Sequence, residues 1–396
     1  MKIKIGVFFG GMSVEHEVSV ISAIQAINNM DKEKYDIIPI YIAKNNNMYV
    51  GEKIADIKEY TNVDKLIEKS QRIVLINTND RLELIKYPFK KLGKNLYDYI
   101  DIAFPIVHGT NVEDGSLQGY LRTLKVPFVG CDVLASAVGM DKYVMKTVLK
   151  DNDIPVLDCI VINNKEYQQD EKDILEKIEN KIEYPVITKP VNLGSSVGIK
   201  VAKNREELIE ALEYAFKYSK KVLVEKAITN LREINCSVLG DYEEAIASEC
   251  EEPFHTDEIL SYEDKYVSNS KISGTKGMES LQRKLPADIS KELKEEIQTL
   301  AIKTFKVLDC NGVSRIDFMI DEDSNKVYVN EINTIPGSLS FYLWNVTNVK
   351  YPELLDRLIK LSLKRNREEK DIEYSFDTNI LSGIDLNGLK GSKMKF

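Results

Sequence analysis

The sequence contains few histidines and cysteines, the residues that build zinc sites and disulfide frameworks, and no apolar run long enough for a membrane span. Three histidines in 396 residues are too few and too scattered for a zinc site. The five cysteines are odd in number and include no Cys-x-x-Cys pair, which is typical of free thiols in a reducing compartment. No apolar run approaches about 18 residues and the chain starts directly with a strand, so we predict neither a membrane span nor a signal peptide. These absences predict a cytoplasmic protein with no membrane partner.

The charge balance argues against nucleic acid as a partner. The chain carries 54 basic and 63 acidic residues, a net charge of −9, which is unlike a nucleic-acid-binding surface. Its length and its apolar content of 43% are sufficient for two or three domains with substantial cores. We therefore expect a multidomain globular protein that does not bind nucleic acid.

The N-terminal segment lacks the glycine signature of dinucleotide-binding proteins. An apolar strand (Lys2 to Phe9), a glycine turn, a helix and a second strand (Tyr35 to Ile42) predict a βαβ unit of a parallel sheet. The turn contains only Gly10 and Gly11, and Glu15 follows where a pyrophosphate would need helix N–H groups. Glu15 is therefore better placed to bind an ammonium group.

A polar hairpin near the C-terminal end is the strongest indication of a functional site in the sequence. The segments VSRIDFM and YVNEINTIPG flank the turn DEDSNK, and residues equidistant from Ser324 should pair across it. Residues two apart on a strand share one face of the sheet. The predicted pairs are Arg315 with Asn333, Asp317 with Glu331, and Met319 with Val329.

The pairing of Asp317 with Glu331 predicts a metal site. Two carboxylates about 5 Å apart repel one another unless a cation lies between them. Their oxygens and the amide oxygen of Asn333 suit Mg²⁺, and Mn²⁺ could replace it. The alternative is a solvated hairpin face, although apolar residues on the other face make free exposure of this hairpin unfavourable.

A glycine-rich run is suited to the phosphate groups that such a metal implies. Gly194 and Gly198 allow close backbone approach, while Ser195 and Ser196 add hydroxyl donors and Lys189 stands at the entrance. The run is not a Walker loop, because the Gly-x-x-x-x-Gly-Lys-Ser/Thr order is absent. By itself it could be an ordinary hairpin. Together with the metal hairpin, it favours nucleoside triphosphate chemistry.

Three further segments fit this interpretation. The strand VLVEKAI ends in Glu225 and Lys226, which we predict to lie at the adenine edge, and Glu233 could accept hydrogen bonds from the ribose. Lys142 begins an amphipathic helix that could approach the phosphates. The alternative for each is a solvated residue at the end of an element.

The ordered segments GGMSVEHEVS, HGTNVEDGSLQG, PFVG, MDK, KPVNLGSSVG, YEDKY, RIDF and NEINTIPG resemble those of D-alanine–D-alanine ligases of the ATP-grasp superfamily. This resemblance covers nearly the whole chain. It implies an α/β fold in three parts, with an N-terminal parallel α/β domain and ATP between the central and C-terminal domains. It also implies that ATP phosphorylates the carboxylate of one D-amino acid, and that the amine of a second attacks the acylphosphate for peptidoglycan synthesis.

The resemblance assigns a role to each candidate residue. Arg315 and the N–H of Gly337 would stabilise the tetrahedral oxyanion, and Glu15 would bind the ammonium of the first amino acid. Ser195 or Ser196 would link Glu15 to Tyr266. The remaining roles are Mg²⁺ binding by Asp317, Glu331 and Asn333, phosphate binding by Lys142, Lys189 and Lys265, adenine and ribose binding by Glu225, Lys226 and Glu233, and substrate-pocket lining by His108 and Glu113.

Two departures from the family pattern affect the substrates. Val112 replaces a glycine in HGTNVEDG, so the backbone beside the first substrate is expected to differ. The segment after Gly337 is shorter than in the family, where it meets the carboxylate of the second amino acid, and Ser338 or Ser340 could restore that contact. The alternatives are therefore a ligase with a different acceptor, such as a hydroxy acid, another amino acid or a peptide, and a catalytically inactive nucleotide-binding protein.

The chain is predicted to divide into domains at residues 1–139, 140–231 and 232–365, followed by a polar tail of unknown role at 366–396. Residues 262–286 lack sustained periodicity and are predicted to form a mobile loop over the site. The predicted partners are small-molecule amino acid substrates, with a possible homodimer.

Overall fold

The computed structural model describes residues 2–78, 81–194, 197–253 and 283–375. Within these ranges the strands are β1 (Ile3–Gly10), β2 (Tyr35–Ile42), β3 (Met48–Val50), β4 (Gln71–Thr78), β5 (Arg81–Lys86), β6 (Leu96–Ile100), β7 (Ile102–Pro105), β8 (Cys159–Asn163), β9 (Val186–Pro190), β10 (Lys200–Ala202), β11 (Lys221–Lys226), β12 (Leu231–Gly240), β13 (Ala245–Pro253), β14 (Arg283–Lys284), β15 (Gly312–Asp321) and β16 (Lys326–Asn333). The α-helices are α1 (His16–Asn29), α2 (Val63–Glu68), α3 (Ser116–Thr123), α4 (Val133–Met140), α5 (Lys142–Asp151), α6 (Asn164–Gln169), α7 (Glu171–Glu179), α8 (Arg205–Phe216), α9 (Lys291–Val307), α10 (Phe341–Val346) and α11 (Tyr351–Lys370). Two 3-10 turns span Ile57–Asn62 and Gly337–Ser340.

The first sheet confirms the predicted βαβ unit. Its strand order is β6-β5-β4-β3-β2-β1-β7, and β1 pairs in parallel with both β2 and β7. β1 is almost wholly buried, as its apolar sequence requires, and α1 packs against it. Strands β3 to β6 extend the sheet in antiparallel fashion. The carboxyl ends of β1 and β7 therefore lie side by side, and the loops that carry Glu15 and His108 follow them.

Two antiparallel sheets form the rest of the described fold. The second sheet has the order β10-β9-β11-β8, and apolar residues of α7 and α8 pack in its core. The third has the order β14-β13-β12-β15-β16 and packs against α9. Leu339 and Leu358 belong to the apolar core of the first sheet, so the chain after β16 returns to the N-terminal part. This return brings the segment after Gly337 against α1.

The sheets lie within the predicted divisions except that β12 begins at Leu231, and the boundaries themselves stay a prediction. α11 continues through Lys370, so the start of the predicted tail is helical. Residues 262–282 of the predicted mobile loop and residues 376–396 of the tail lie outside the described residues. None of the helices in the described ranges is both long and apolar enough to cross a membrane.

Candidate active site

The β15–β16 hairpin has the predicted register at its functional end. Arg315 pairs with Asn333, and Asp317 pairs with Glu331. The third predicted pair is wrong. Met319 pairs with Tyr328 rather than Val329, because a bulge after Asp317 inserts one extra residue into β16.

The extra residue is Asn330, and it faces the second sheet. Its side-chain oxygen accepts a hydrogen bond from Lys189 Nζ at 3.1 Å. Lys189 lies on β9 at the start of the glycine-rich run. The bulge therefore joins the predicted metal hairpin to the predicted phosphate loop.

Both carboxylates of the hairpin are paired with cations of the chain. Arg315 donates two hydrogen bonds to Asp317, each 2.7 Å long, and Asn333 Nδ2 donates a third at 3.1 Å. Burial alone would lower the pKa of Arg315, but Asp317 holds it well above its usual range. Lys142 Nζ lies 3.0 Å from Glu331 Oε2. The repulsion expected between the two carboxylates is therefore relieved within the chain.

The donor set at this hairpin fits a hard divalent cation. Two carboxylates and one amide oxygen are what Mg²⁺ takes from proteins, while water and phosphate complete its shell. Across the described ranges, no group of three or more His, Cys, Asp or Glu residues could hold a metal. Asn333 as a third protein ligand stays a prediction.

A buried carboxylate pairs with one predicted phosphate lysine and with a second lysine near the site. Glu225 on β11 is fully buried and forms ion pairs with Lys146, at 2.6 Å, and with Lys189. Burial alone would raise the pKa of Glu225, but the two lysines lower it to about 2. With its side chain so engaged, Glu225 could meet adenine through its backbone. Lys146 was not predicted, although it lies one turn after Lys142 on α5 and so shares its face.

Glu15 lies between two glycines from different parts of the chain. A methyl group added to Gly109 would lie 2.8 Å from Glu15 Oε2, and one added to Gly194 would lie 3.1 Å from the same atom. Gly109 also has a φ of +81°, which disfavours other residues. The loops after β7 and β9 therefore enclose the carboxylate that is predicted to bind an ammonium group.

Glu113 joins this region to the segment after β16. It accepts hydrogen bonds from the backbone N–H of Gly109 and of Ile335, both at 2.9 Å, and from Thr334 Oγ1 at 3.3 Å. Burial and the neighbouring Glu15 raise the pKa of Glu113 to about 8. Glu113 thus holds two loops together beside the predicted ammonium site.

His108 makes a second connection to the same segment. Its Nδ1 lies 2.8 Å from Ile335 O, so this nitrogen carries the proton, and Nε2 lies 3.0 Å from Ser22 Oγ. The Ser22 hydroxyl then donates to His108 while it accepts from Ser338 N–H at 2.9 Å. Burial lowers the pKa of His108 to about 4, which keeps the ring neutral. His108 and Glu113 are therefore bonded to the fold as well as close to the substrate region.

The turn Gly337–Ser340 has an unusual backbone. Ser338, Leu339 and Ser340 have φ values of 49°, 55° and 51°, in the left-handed region that non-glycine residues rarely adopt. The Ser338 hydroxyl donates to Gln25 Oε1 at 2.6 Å. Ser340 Oγ is buried and has no hydrogen-bond partner among the described residues. Of the two candidate serines, Ser340 has the capacity to bind another group.

Val112 fills the space that the family's glycine would leave. It is buried, and a methyl group added to Gly11 would lie 2.4 Å from Val112 Cγ1. Close contact with a glycine therefore accommodates the larger side chain.

Of the other predicted residues, Glu233 lies near Asp317 and interacts with it electrostatically, Lys226 bonds to the backbone, and four cannot be placed. Lys226 Nζ donates to the carbonyls of Glu183 and Tyr184, and Glu233 pairs with Met319 across β12 and β15. The predicted residues outside the described ranges are Ser195, Ser196, Lys265 and Tyr266.

Comparisons with known proteins agree along the chain. Family profiles described as "D-ala D-ala ligase N-terminus" and "D-ala D-ala ligase C-terminus" match residues 4–131 and 148–360. The curated D-alanine–D-alanine ligase of Caldicellulosiruptor bescii is 41% identical over 94% of this chain and 99% of its own. The structure of D-alanine–D-alanine ligase from Coxiella burnetii is 31% identical with a TM-score of 0.76, covering 93% of this chain and 96% of its own. VanG D-Ala:D-Ser ligase from Enterococcus faecalis is 31% identical with a TM-score of 0.75, covering 91% of this chain and 100% of its own. Since two profiles and near-full-length relatives coincide, the chain belongs to the D-alanine–D-alanine ligase family of the ATP-grasp superfamily.

Proposed function

We propose that this chain is an ATP- and Mg²⁺-dependent ligase that joins two D-amino acids, most simply two D-alanines, for peptidoglycan precursor synthesis. The observation that carries the proposal is the meeting of two lysines, one from helix α5 and one from the second sheet, at one hairpin of the third sheet. Lys142 contacts Glu331, and Lys189 contacts Asn330. Cations suited to phosphate thus lie beside carboxylates suited to a metal.

The hairpin and the lysines would bind the nucleotide together. Asp317, Glu331 and Asn333 would hold Mg²⁺, which supplies neutralisation of the charge on the phosphates. Lys142, Lys189 and Lys265 would contact the same phosphates. Glu225 and Lys226 would meet adenine through their backbone, and Glu233 would meet the ribose.

The first chemical step activates a carboxylate. Glu15 would hold the ammonium of the first amino acid, and a carboxylate oxygen of that amino acid would attack the γ-phosphorus of ATP. An O–P bond forms in the acylphosphate, while the bond from the γ-phosphorus to the oxygen of ADP breaks. Ser195 or Ser196 would link Glu15 to Tyr266 and help to exclude water, because an acylphosphate hydrolyses readily.

The second step forms the amide. The neutral amine of the second amino acid would attack the acyl carbon and form the C–N bond. The bond from that carbon to the phosphate oxygen would break, and inorganic phosphate would leave with the proton that the amine loses. Arg315 and the N–H of Gly337 would stabilise the oxyanion, a contact worth about 2.7–4 kcal/mol for each donor. Glu113 and His108 would hold the Ile335 segment, and therefore Gly337, against the first substrate.

A different acceptor is the second candidate function. The hydroxyl of Ser340, which has no hydrogen-bond partner within the described ranges, favours it, because a buried donor beside the acceptor position could bind a polar group of the second substrate. The name of the VanG relative, a D-Ala:D-Ser ligase, supports the same possibility.

A substrate screen tests both candidates. The protein would be incubated with ATP, Mg²⁺ and individual amino or hydroxy acids, ADP release would be measured, and the product would be identified by mass. We expect D-alanyl-D-alanine from D-alanine alone. A mixed product formed in preference would select the second candidate, while ADP release no greater than that of Glu331→Gln would indicate an inactive nucleotide-binding protein.

A further inference from the structure

A second buried charge cluster lies behind Arg315, and none of the assigned roles uses it. We define it as the Glu251 cluster: Glu251, Asn235, Arg283 and Tyr342. Glu251 accepts hydrogen bonds from Tyr342 OH at 2.8 Å, from Asn235 Nδ2 at 3.1 Å and from Arg283 Nη1 at 2.8 Å. The Arg283 guanidinium also lies 4.0 Å from the centre of the Tyr342 ring. One carboxylate therefore fixes three side chains from different elements.

The cluster is shielded from water. The side chains of Glu251 and Arg283 are only 3% and 9% exposed, and Tyr342 is buried. A buried ion pair of this kind contributes little net stability compared with apolar packing, although removing one partner is costly. We therefore infer that the cluster serves to fix the positions of its side chains rather than to increase the stability of the fold.

The cluster lies one strand away from the predicted reaction centre. Asn235 on β12 pairs with Glu251 on one side and with Asp317 on the other. Tyr342 and Glu251 both interact electrostatically with Arg315, the predicted oxyanion donor. A displacement of the cluster would therefore change the electrostatic environment of Arg315.

The cluster also holds one end of the left-handed turn. Tyr342 is the second residue of α10, which begins directly after Ser340. Three consecutive non-glycine residues in the left-handed region are strained and persist only when their surroundings fix them. Ser22 and Gln25 fix the turn at Ser338. The Glu251 cluster fixes the helix that follows.

We propose that Arg283 and Glu251 are positioning residues for the second substrate. Through the hydroxyl and ring of Tyr342, they fix α10 and so hold Ser340 and its neighbouring N–H groups facing the acceptor carboxylate. The inference rests on the proposed function, in which this turn meets the acceptor. It assigns the two residues no contact with ATP or with the first amino acid.

Two substitutions test the cluster, one by removing a single hydrogen bond and the other by removing a charged side chain. Tyr342→Phe keeps the ring beneath Arg283 and removes only the hydrogen bond to Glu251, so it should fold. Arg283→Met removes the charge and both contacts. We expect the KM of the second D-alanine to rise about tenfold in Tyr342→Phe, the equivalent of one hydrogen bond of about 1.4 kcal/mol. The KM values of ATP and of the first D-alanine should stay within about twofold of wild type, a range that leaves the tenfold effect distinct.

The adjacent pair supplies a matched control. Arg232 and Glu252 form a two-bond ion pair on the opposite face of the same sheet, because Glu252 neighbours Glu251 on β13. Their side chains are more exposed, 24% and 19% against 9% and 3% for Arg283 and Glu251. Arg232→Met should leave all three KM values unchanged. An acceptor KM that rises as much in Arg232→Met as in Tyr342→Phe would indicate general loosening and overturn the inference.

The outcomes separate this inference from the proposed function. A wild-type protein that forms no dipeptide overturns the proposed function itself. A wild-type protein that ligates normally, with an acceptor KM in Tyr342→Phe within about twofold of its own value, overturns only the role of the Glu251 cluster.

Discussion

Replacing Glu225 with glutamine should destabilise the protein strongly while removing almost no volume. The Glu225 carboxylate is fully buried between Lys146 and Lys189, whose side chains are only 4% and 7% exposed. The amide of glutamine has the same shape but carries no charge. Glu225→Gln would therefore leave two buried ammonium groups without their shared counter-ion.

The size of the effect follows from the pKa of Glu225. A fall from the ordinary value of 4.5 to about 2 corresponds to about 3 kcal/mol, at about 1.4 kcal/mol for each tenfold change in the protonation equilibrium. Loss of one partner from a buried ion pair typically costs about 3–5 kcal/mol, which agrees. Because the pKa is lowered in the folded state, this stabilisation is present above pH 4.5 and is lost as the pH falls towards 2.

Urea unfolding followed by far-UV circular dichroism measures this loss. At neutral pH, Glu225→Gln should lower the free energy of unfolding by about 3 kcal/mol relative to wild type, and the difference should narrow below pH 4.5. Asp158→Asn is the control, because Asp158 and Lys150 form an exposed ion pair and its loss should leave the midpoint unchanged. A loss below about 1 kcal/mol in Glu225→Gln would refute the view that this carboxylate organises the two lysines.

Three further substitutions test the site. Glu331→Gln should abolish ADP release without changing the circular dichroism spectrum, because it removes one of the facing carboxylates; near-wild-type turnover would eliminate the proposed metal site. Gly194→Ala should raise the KM of the first amino acid, since its methyl group would lie 3.1 Å from Glu15 Oε2, whereas Gly119→Ala, with its nearest neighbour at 3.8 Å, should not. The raised pKa of Glu113, about 8, means that the folded state retains a proton that the unfolded state has lost. Wild-type stability should therefore fall as the pH rises from 4.5 to 8, and urea midpoints of Glu113→Gln should show a smaller fall; equal slopes would contradict the burial of this carboxyl group.

Local patterns were sufficient to predict several elements of this fold, among them the first βαβ unit and the C-terminal hairpin. Alternation and a polar turn identified the β15–β16 hairpin and its two functional pairs, because symmetry about a turn depends only on sequence distance. The bulge at Asn330 could not be predicted in this way. An extra residue in a polar strand does not change the sequence pattern in a recognisable way. Lys189, the hydrogen-bond partner of Asn330, is also distant in the sequence.

The tertiary contacts of the site could not be predicted from the sequence for a related reason. The segment VLVEK indicated a strand, but not that Glu225 would be buried between two lysines. Ser338, Leu339 and Ser340 gave no sign of a left-handed turn, since residues with a side chain normally avoid that region. Packing against α1 and α10 determines this conformation, and such packing is a property of the whole fold.

The pairing of the hairpin carboxylates with the chain's own cations has a consequence for the life of the protein in the cell. Arg315 beside Asp317, and Lys142 beside Glu331, compensate charges that would otherwise oppose folding. The newly made chain can therefore complete its fold before it meets nucleotide or metal. After removal of divalent ions with a chelator, the chain should accordingly remain folded, unlike a zinc finger, which unfolds without its ion.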